Sequence, residues 1–266
     1  MPDQLHSLSC YINYLWQHRY MYLVTVRNDL KGKFKYTILG YFWHLLNPLS
    51  QIVIYLLVFT VTFGHGVPNY WVYISTGMFP FSFMVASVVG GSTSITGNAR
   101  VVTKMAMARE ILIFSKITVN LVNLTISYSL LLILMAIAGV NITINVLIVP
   151  IIIFFFVIFC TGLALALSAI VVYIRDMAHV VSIIMNMMLF AVPIIYMKSV
   201  EINEAMKIFW TINPLFYYLD TIHDAFYWGI PPDMSQLIIC MIVAPLTFVF
   251  GLIIFKKLEP GFAERL

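Results

Sequence analysis

Apolar positions in this chain do not alternate with polar ones at a strand or helix period; they run on without interruption. Six stretches, residues 48–64, 71–96, 111–138, 146–173, 178–197 and 235–255, are almost free of charge. A bilayer core about 30 Å thick takes about 20 residues at about 1.5 Å each, so these runs predict six helices that cross a membrane. The first is the shortest, and residues 41–46 before it are apolar enough to extend it.

Two segments break this pattern. Between residues 10 and 30, Tyr11, Ile12, Tyr14, Leu15, Trp16, Tyr20, Leu23 and Val24 are interleaved with Arg19, Arg27 and Asp29. That mixture is too polar to span and too apolar for water, and it predicts a helix lying in the headgroup interface. Residues 198–234 carry Glu201, Glu204, Asp220, Asp224 and Asp233 among many aromatics, broken by Pro214 and Pro231-Pro232. They predict short re-entrant helices, because irregular backbone at membrane depth must be buried in protein or line a cavity. The expected fold is therefore an all-α membrane protein: six transmembrane helices, an N-terminal amphipathic interfacial helix and short re-entrant external helices between spans five and six. The expected division is 1–47 cytoplasmic and interfacial, 48–255 transmembrane, and 256–266 a cytoplasmic tail.

Composition excludes the alternative of a water-soluble body. Of 266 residues 62% are hydrophobic and 10% charged, with mean hydropathy +0.96, against about 45–50% and about 25% in globular domains. Six spans leave no room for a soluble catalytic domain. Thirteen of the fifteen Lys and Arg fall in or at the edge of alternate connections, Lys116 being the one at an edge, and only Lys198 and Lys207 in the others, so both termini are expected in the cytoplasm. The chain is expected to start at or near Met1, since no apolar run with a cleavage site opens it. Cys10, Cys160 and Cys240 stand singly, without the spacing of a disulfide framework or zinc site.

The chemistry that is missing narrows the function. The sequence has no phosphate-cradling Gly-rich loop with Lys, no His-Glu-x-x-His pair and no Gly-x-Ser-x-Gly turn, so no catalytic residue and no metal ligand is assigned. The six runs hold one charged residue, Lys116, whereas ion-coupled carriers place relays of ionisable groups inside the membrane. A transporter built this way needs energy from a partner protein; a structural membrane protein is the plainer alternative. His223 sits between Asp220 and Asp224, but a metal site needs three or four converging ligands, and a solvated external face is the expectation there.

Six landmarks carry a resemblance. Lys33-Phe34-Lys35-Tyr36-Thr37-Ile38-Leu39-Gly40-Tyr41-Phe42-Trp43 with Asn47-Pro48-Leu49 precedes and opens span one. Asn98-Ala99-Arg100-Val101-Val102-Thr103-Lys104 and Arg109-Glu110-Ile111-Leu112 lie between spans two and three. Arg175-Asp176 follows span four, and Pro193-Ile194-Ile195-Tyr196 closes span five. Asn213-Pro214-Leu215 lies in the external segment, and Phe255-Lys256-Lys257-Leu258-Glu259 ends the last span. In this order they resemble the ABC-2 type transporter permeases, and within them the branch exporting O-antigen, capsule and teichoic acid. The chain departs from the family at Lys33-Phe34, usually Arg-Tyr, at Met107-Ala108, usually Phe-Pro, and at Val192, usually a small residue.

The resemblance implies a permease subunit in the bacterial cytoplasmic membrane that homodimerises around a channel and docks two copies of a separate ATPase. ATP and Mg would be bound by that ATPase, with no cofactor in this chain, and the substrate would be a polysaccharide on an undecaprenyl diphosphate carrier. No nucleic acid is expected; membrane lipids are. Permeases for a drug, lipid or other small hydrophobic molecule form the alternative within the class, and a membrane glycan or lipid transferase the alternative outside it. Arg100, Lys104, Arg109 and Glu110 are the candidate ATPase coupling surface, or else a solvated loop. Arg27, Lys31, Lys33 and Lys35 are candidates for admitting the lipid diphosphate, or else hold the helix on anionic lipid. Arg175, Asp176, Pro193, Asn213 and Pro214 are family-motif residues, with Asp176 expected to cap the fifth helix.

Sugar rings stack their C–H faces on aromatic faces. Tyr55, Phe59 and Phe63, at i, i+4 and i+8 on one helix face, with Phe79, Phe81, Phe83, Phe190 and Tyr196, are therefore candidate channel-lining aromatics, unless they are lipid-facing bulk. Pro80 and Gly90-Gly91 would loosen span two.

Overall fold

The computed structural model describes residues 16–32, 42–59, 68–104, 108–197 and 204–266. Among these residues every regular element is helical. In chain order they are α1 (Arg19–Gly32), α2 (Trp43–Ile54, continued by a π turn Tyr55–Phe59), α3 (Tyr70–Ser92), the short α4 (Ser94–Gly97) and α5 (Ala99–Lys104), and α6 (Glu110–Ile137). Then follow α7 (Val149–Tyr173), α8 (Met177–Ala191), α9 (Glu204–Ile212), α10 (Pro214–His223, with a π turn Asp224–Trp228), α11 (Met234–Leu258) and α12 (Phe262–Arg265).

Four helical stretches, Tyr70–Ser92, Glu110–Ile137, Ile144–Tyr173 and Met234–Arg265, are long and apolar enough to cross a membrane. The first and fifth expected spans correspond to the shorter apolar helices Trp43–Val58 and Met177–Ala191. Fifteen residues of α8 extend about 22 Å, short of the about 30 Å a perpendicular span needs. The apolar run continues to 197, but Val192 turns extended (φ −124°, ψ 148°) just before Pro193, as the residue before a proline is pushed to do. Hydropathy could not register that stop.

α3 is the central helix. Of its most apolar window 72% is buried inside the protein, against 17% for α11, and it packs on α6, α7, α8 and α10. Ser75, Thr76 and Ser92 keep α3 compatible with an apolar interior by donating to its own carbonyls, those of Trp71, Tyr73 and Val89, which satisfies these three hydroxyls locally. α7 lies along α11, where small residues permit close approach: a Cβ on Gly251 would run into the backbone of Gly162, and one on Gly162 into that of Thr247. The outward faces carry Ile133, Ile151, Phe154, Ile183, Met187, Leu246, Phe250 and Ile253, all exposed, the apolar belt that lipid requires.

α1 is the described part of the expected interfacial helix. It has no buried residue, yet it is fastened to the start of α6: Tyr22 Oη lies 2.6 Å from Thr118 Oγ1, and Asp29 pairs with Lys116 at 3.0 Å. Lys116, the one charge expected inside a span, is thus matched by a carboxylate from outside it.

Candidate functional site

At the end of the bundle where α6 begins and α11 stops, two of the motif segments meet. Glu110 is wholly buried and its carboxylate pairs with the Lys256 ammonium; Lys256 also reaches Glu259 at 2.9 Å. Arg109 donates to the Glu259 carbonyl at 2.6 Å and places its guanidinium 5.6 Å from the centre of the Phe262 ring. Phe262 is buried against Phe255 and Tyr173, whose hydroxyl donates to the Leu258 carbonyl at 3.0 Å. Arg265 closes the cluster over Tyr173, 5.5 Å from its centre. This arrangement corrects one expectation: Glu110 is not part of a docking surface, because a carboxylate taken out of water stays only where it is paired, and this one binds the end of α11 to the start of α6. Arg109 works beside it. The exposed cations of this stretch are Arg100 and Lys104, on α5.

At the other end a second network forms. Tyr73 of α3 donates to the carbonyls of Pro193 and Tyr196, each at 3.1 Å, and Tyr70 donates to that of Ile195. The Pro193–Tyr196 motif is thereby held in an irregular turn whose free carbonyls α3 satisfies. Tyr196 stacks on Trp210, which stacks on Phe216, and the Trp210 indole donates to the Ala191 carbonyl at 3.1 Å. The Asn213-Pro214 motif has a local physical role: Asn213 Oδ1 accepts from the Leu215 amide at 3.1 Å, capping α10, and Pro214 occupies its first turn, where no N–H is needed.

His223 belongs to this network and not to a solvated face, and the expectation there is corrected. It is 2% exposed, its ring stacks on Tyr73 at 4.2 Å, and Nε2 lies 3.1 Å from the Tyr73 carbonyl. Asp220 is buried as well. Segment 214–228 turns inward because its aromatic and β-branched positions pack on α3, α7 and α11, and the two polar residues go with them. Among the described residues no group of three His, Cys, Asp or Glu is placed to hold a metal.

Asp176 corrects a further expectation. It occupies the N-cap position of α8 but in helical conformation (φ −64°, ψ −22°), with no side-chain cap, and both it and Arg175 are exposed.

The aromatic candidates divide. Phe79, Phe81 and Phe83 are buried within the chain, Phe79 against Tyr128 and Phe83 against Phe156. Tyr55 is buried too, at the start of a π turn that alters the register on which its pairing with Phe59 depended. Phe190 is 69% exposed. Phe63, Lys33 and Lys35 lie outside the described residues, as does the side chain of Phe59. Arg27 and Lys31 are exposed on α1.

A feature the sequence reading missed lies between α2, α3 and α6. A cavity of about 260 Å³ is lined by His44, Asn47 and Gln51 of α2, Ser82 of α3, and Asn120 and Asn123 of α6, with Phe79 and Phe83 behind them. His44 Nδ1 lies 2.7 Å from Asn123 Oδ1, and Asn120 donates to Ser87 at 3.3 Å. The signal was available: 44, 47 and 51, like 120, 123 and 127, repeat at i, i+3 and i+7, which puts each set on one helix face. A search for charge inside the spans passes over amides.

A polytopic helical membrane protein, with a polar cavity among its helices, a charged clamp at one end and an aromatic lock at the other, is the class these features define. The ABC-2 type transporter family matches residues 22–227, and the chain belongs to that family. It is 27% identical over 253 residues to the O-antigen export system permease protein RfbA of Myxococcus xanthus, covering 95% of this chain and 97% of that one. Two proteins of the same name from Klebsiella pneumoniae are 28% and 27% identical, each covering 92% of this chain and 94% of its own length.

Proposed function

We propose that this chain is the permease subunit of an ATP-driven exporter that carries an undecaprenyl-diphosphate-linked polysaccharide, O-antigen, teichoic acid or a related cell-wall glycan, across the bacterial cytoplasmic membrane. The observation that supports it best is the end-to-end likeness to three O-antigen export permeases, on a chain whose motif segments meet in space. Two copies form the transport unit with two copies of a separate ATPase, which supplies ATP and Mg chemistry. Each copy crosses six times, α2 and α8 completing the set, with α9 and α10 re-entering from the outer side and both termini in the cytoplasm. Arg100 and Lys104 present charge to the ATPase, while Arg109 and Glu110 carry its movement to α11. Arg27 and Lys31, with Lys33 and Lys35, meet the lipid diphosphate at the inner-leaflet boundary.

Depleting the chain in cells with intact glycan synthesis tests this reading. Lipid-linked polymer is expected to accumulate inside while surface glycan falls to background. Unchanged surface glycan, with the chain gone, would overturn it.

A further inference from the structure

The cavity between α2, α3 and α6 is lined by groups that lipid cannot satisfy. Polar side chains at membrane depth need partners, and Asn47, Gln51, Asn120 and Asn123 bring four amides to one place, beside His44 and Ser82. Asn123 and Asn120 already engage His44 and Ser87 and keep further hydrogen-bonding capacity. Each amide offers both a donor and an acceptor, and the serine hydroxyl does the same. Among the described residues no Lys, Arg, Asp or Glu lines the space, so a phosphate or carboxylate entering it would find no permanent charge to pair with there. An apolar molecule would leave the amides facing nothing. What matches is an uncharged ring with hydroxyls pointing both ways around its edge and a C–H face for Phe79 and Phe83. The volume, about 260 Å³, lies just below the about 300 Å³ where pockets for drug-sized ligands begin, and it suits one ring in place of a chain segment.

We propose that this cavity, formed within a single copy of the chain, is a binding site for one neutral sugar ring. The source is the transported glycan or the headgroup of a glycolipid; assignment to the glycan rests on the export reading above. No residue of α1 lines the site, so one copy would hold charge and sugar on different elements.

The test is saturation-transfer NMR on the full-length permease in nanodiscs of phosphatidylethanolamine and phosphatidylglycerol. Methyl glucoside, methyl mannoside and methyl N-acetylglucosaminide are the neutral probes, and glucose 6-phosphate and glucuronate the charged ones. At least one neutral glycoside is expected to give transfer about tenfold above either charged sugar, because the lining offers hydrogen bonds and no fixed charge. Gln51→Leu and Ser82→Leu are expected to remove the signal while the protein keeps its elution volume. Gln51→Asn, which shortens the amide without adding apolar bulk, lowers it and guards against a misfolded Leu variant. No transfer from any neutral glycoside, equal transfer from charged ones, survival of the signal in both Gln51 variants, or dissociation of an assembled dimer by Gln51→Asn would each overturn the site, the last by making these amides contacts between copies.

Nanodiscs containing monoglucosyl diacylglycerol separate the sources. Loss of the soluble signal there assigns the site to the headgroup, and an unchanged signal assigns it to glycan. A chain that exports glycan yet binds no neutral sugar sinks the cavity alone, and a chain that binds sugar here while its depletion leaves surface glycan intact sinks the export reading alone.

Discussion

The Glu110 carboxylate, buried at the first turn of α6, is paired with the Lys256 ammonium at the last turn of α11. The pair joins the segment before the third span to the end of the last. It converts two family motifs, far apart in sequence, into one mechanical connection.

Breaking this connection should unfold one end of the bundle. Lys256→Met leaves Glu110 buried without its cation, and the loss is expected at the lower end of the about 3–5 kcal/mol seen for such cases, since Lys256 keeps partial exposure. Glu110→Gln with Lys256→Met should restore most of it. Thermal melting of the protein in nanodiscs measures both, and a double variant no better than the single one would show that the pair is not what matters.

Arg100→Ala with Lys104→Ala should weaken ATPase co-purification and leave the melting temperature unchanged, because both side chains are exposed and rim charges act on encounter more than on stability. Arg109→Ala should do the reverse first, lowering stability by about 1–3 kcal/mol through the lost Glu259 carbonyl contact. Equal co-purification of wild type and the Arg100/Lys104 variant would move the docking surface elsewhere.

Of the described cations on α1, Arg27→Ala should reduce substrate-stimulated ATP hydrolysis more than Lys31→Ala, since a guanidinium binds phosphate through two parallel hydrogen bonds and an ammonium acts as a point charge. Hydrolysis without substrate should survive in both. If both variants lose stimulation equally, attraction to anionic lipid at about 1 kcal/mol per charge accounts for them.

Gly77→Ala should destabilise the aromatic lock. Its Cβ would stand 2.8 Å from His223 Nε2, inside contact distance, so the Tyr73–His223 stack must open at a cost of about 1–3 kcal/mol. Adding His223→Ser should relieve the clash. A Gly77→Ala protein that melts like wild type would show that α10 can shift freely against α3.

A stretch of uncharged apolar residues has one stable backbone solution in lipid, so the sequence by itself determined the helical class, the four long apolar spans and the motif positions. The caps at Asn213 and Asp233 were equally local, each carboxamide or carboxylate oxygen accepting from an amide two residues on. What periodicity could not decide was which helix faces meet. Glu110 and His223 look like surface residues in sequence because polarity predicts exposure one residue at a time, whereas burial depends on partners contributed by α11 and α3. The π turn after α2 and the stop of α8 before Pro193 shifted faces in ways a hydropathy average smooths over. The polar cavity is the sharpest case: three short rows of amides, hydroxyls and an imidazole are unremarkable on three separate helices, and only their convergence in the tertiary structure makes them a site.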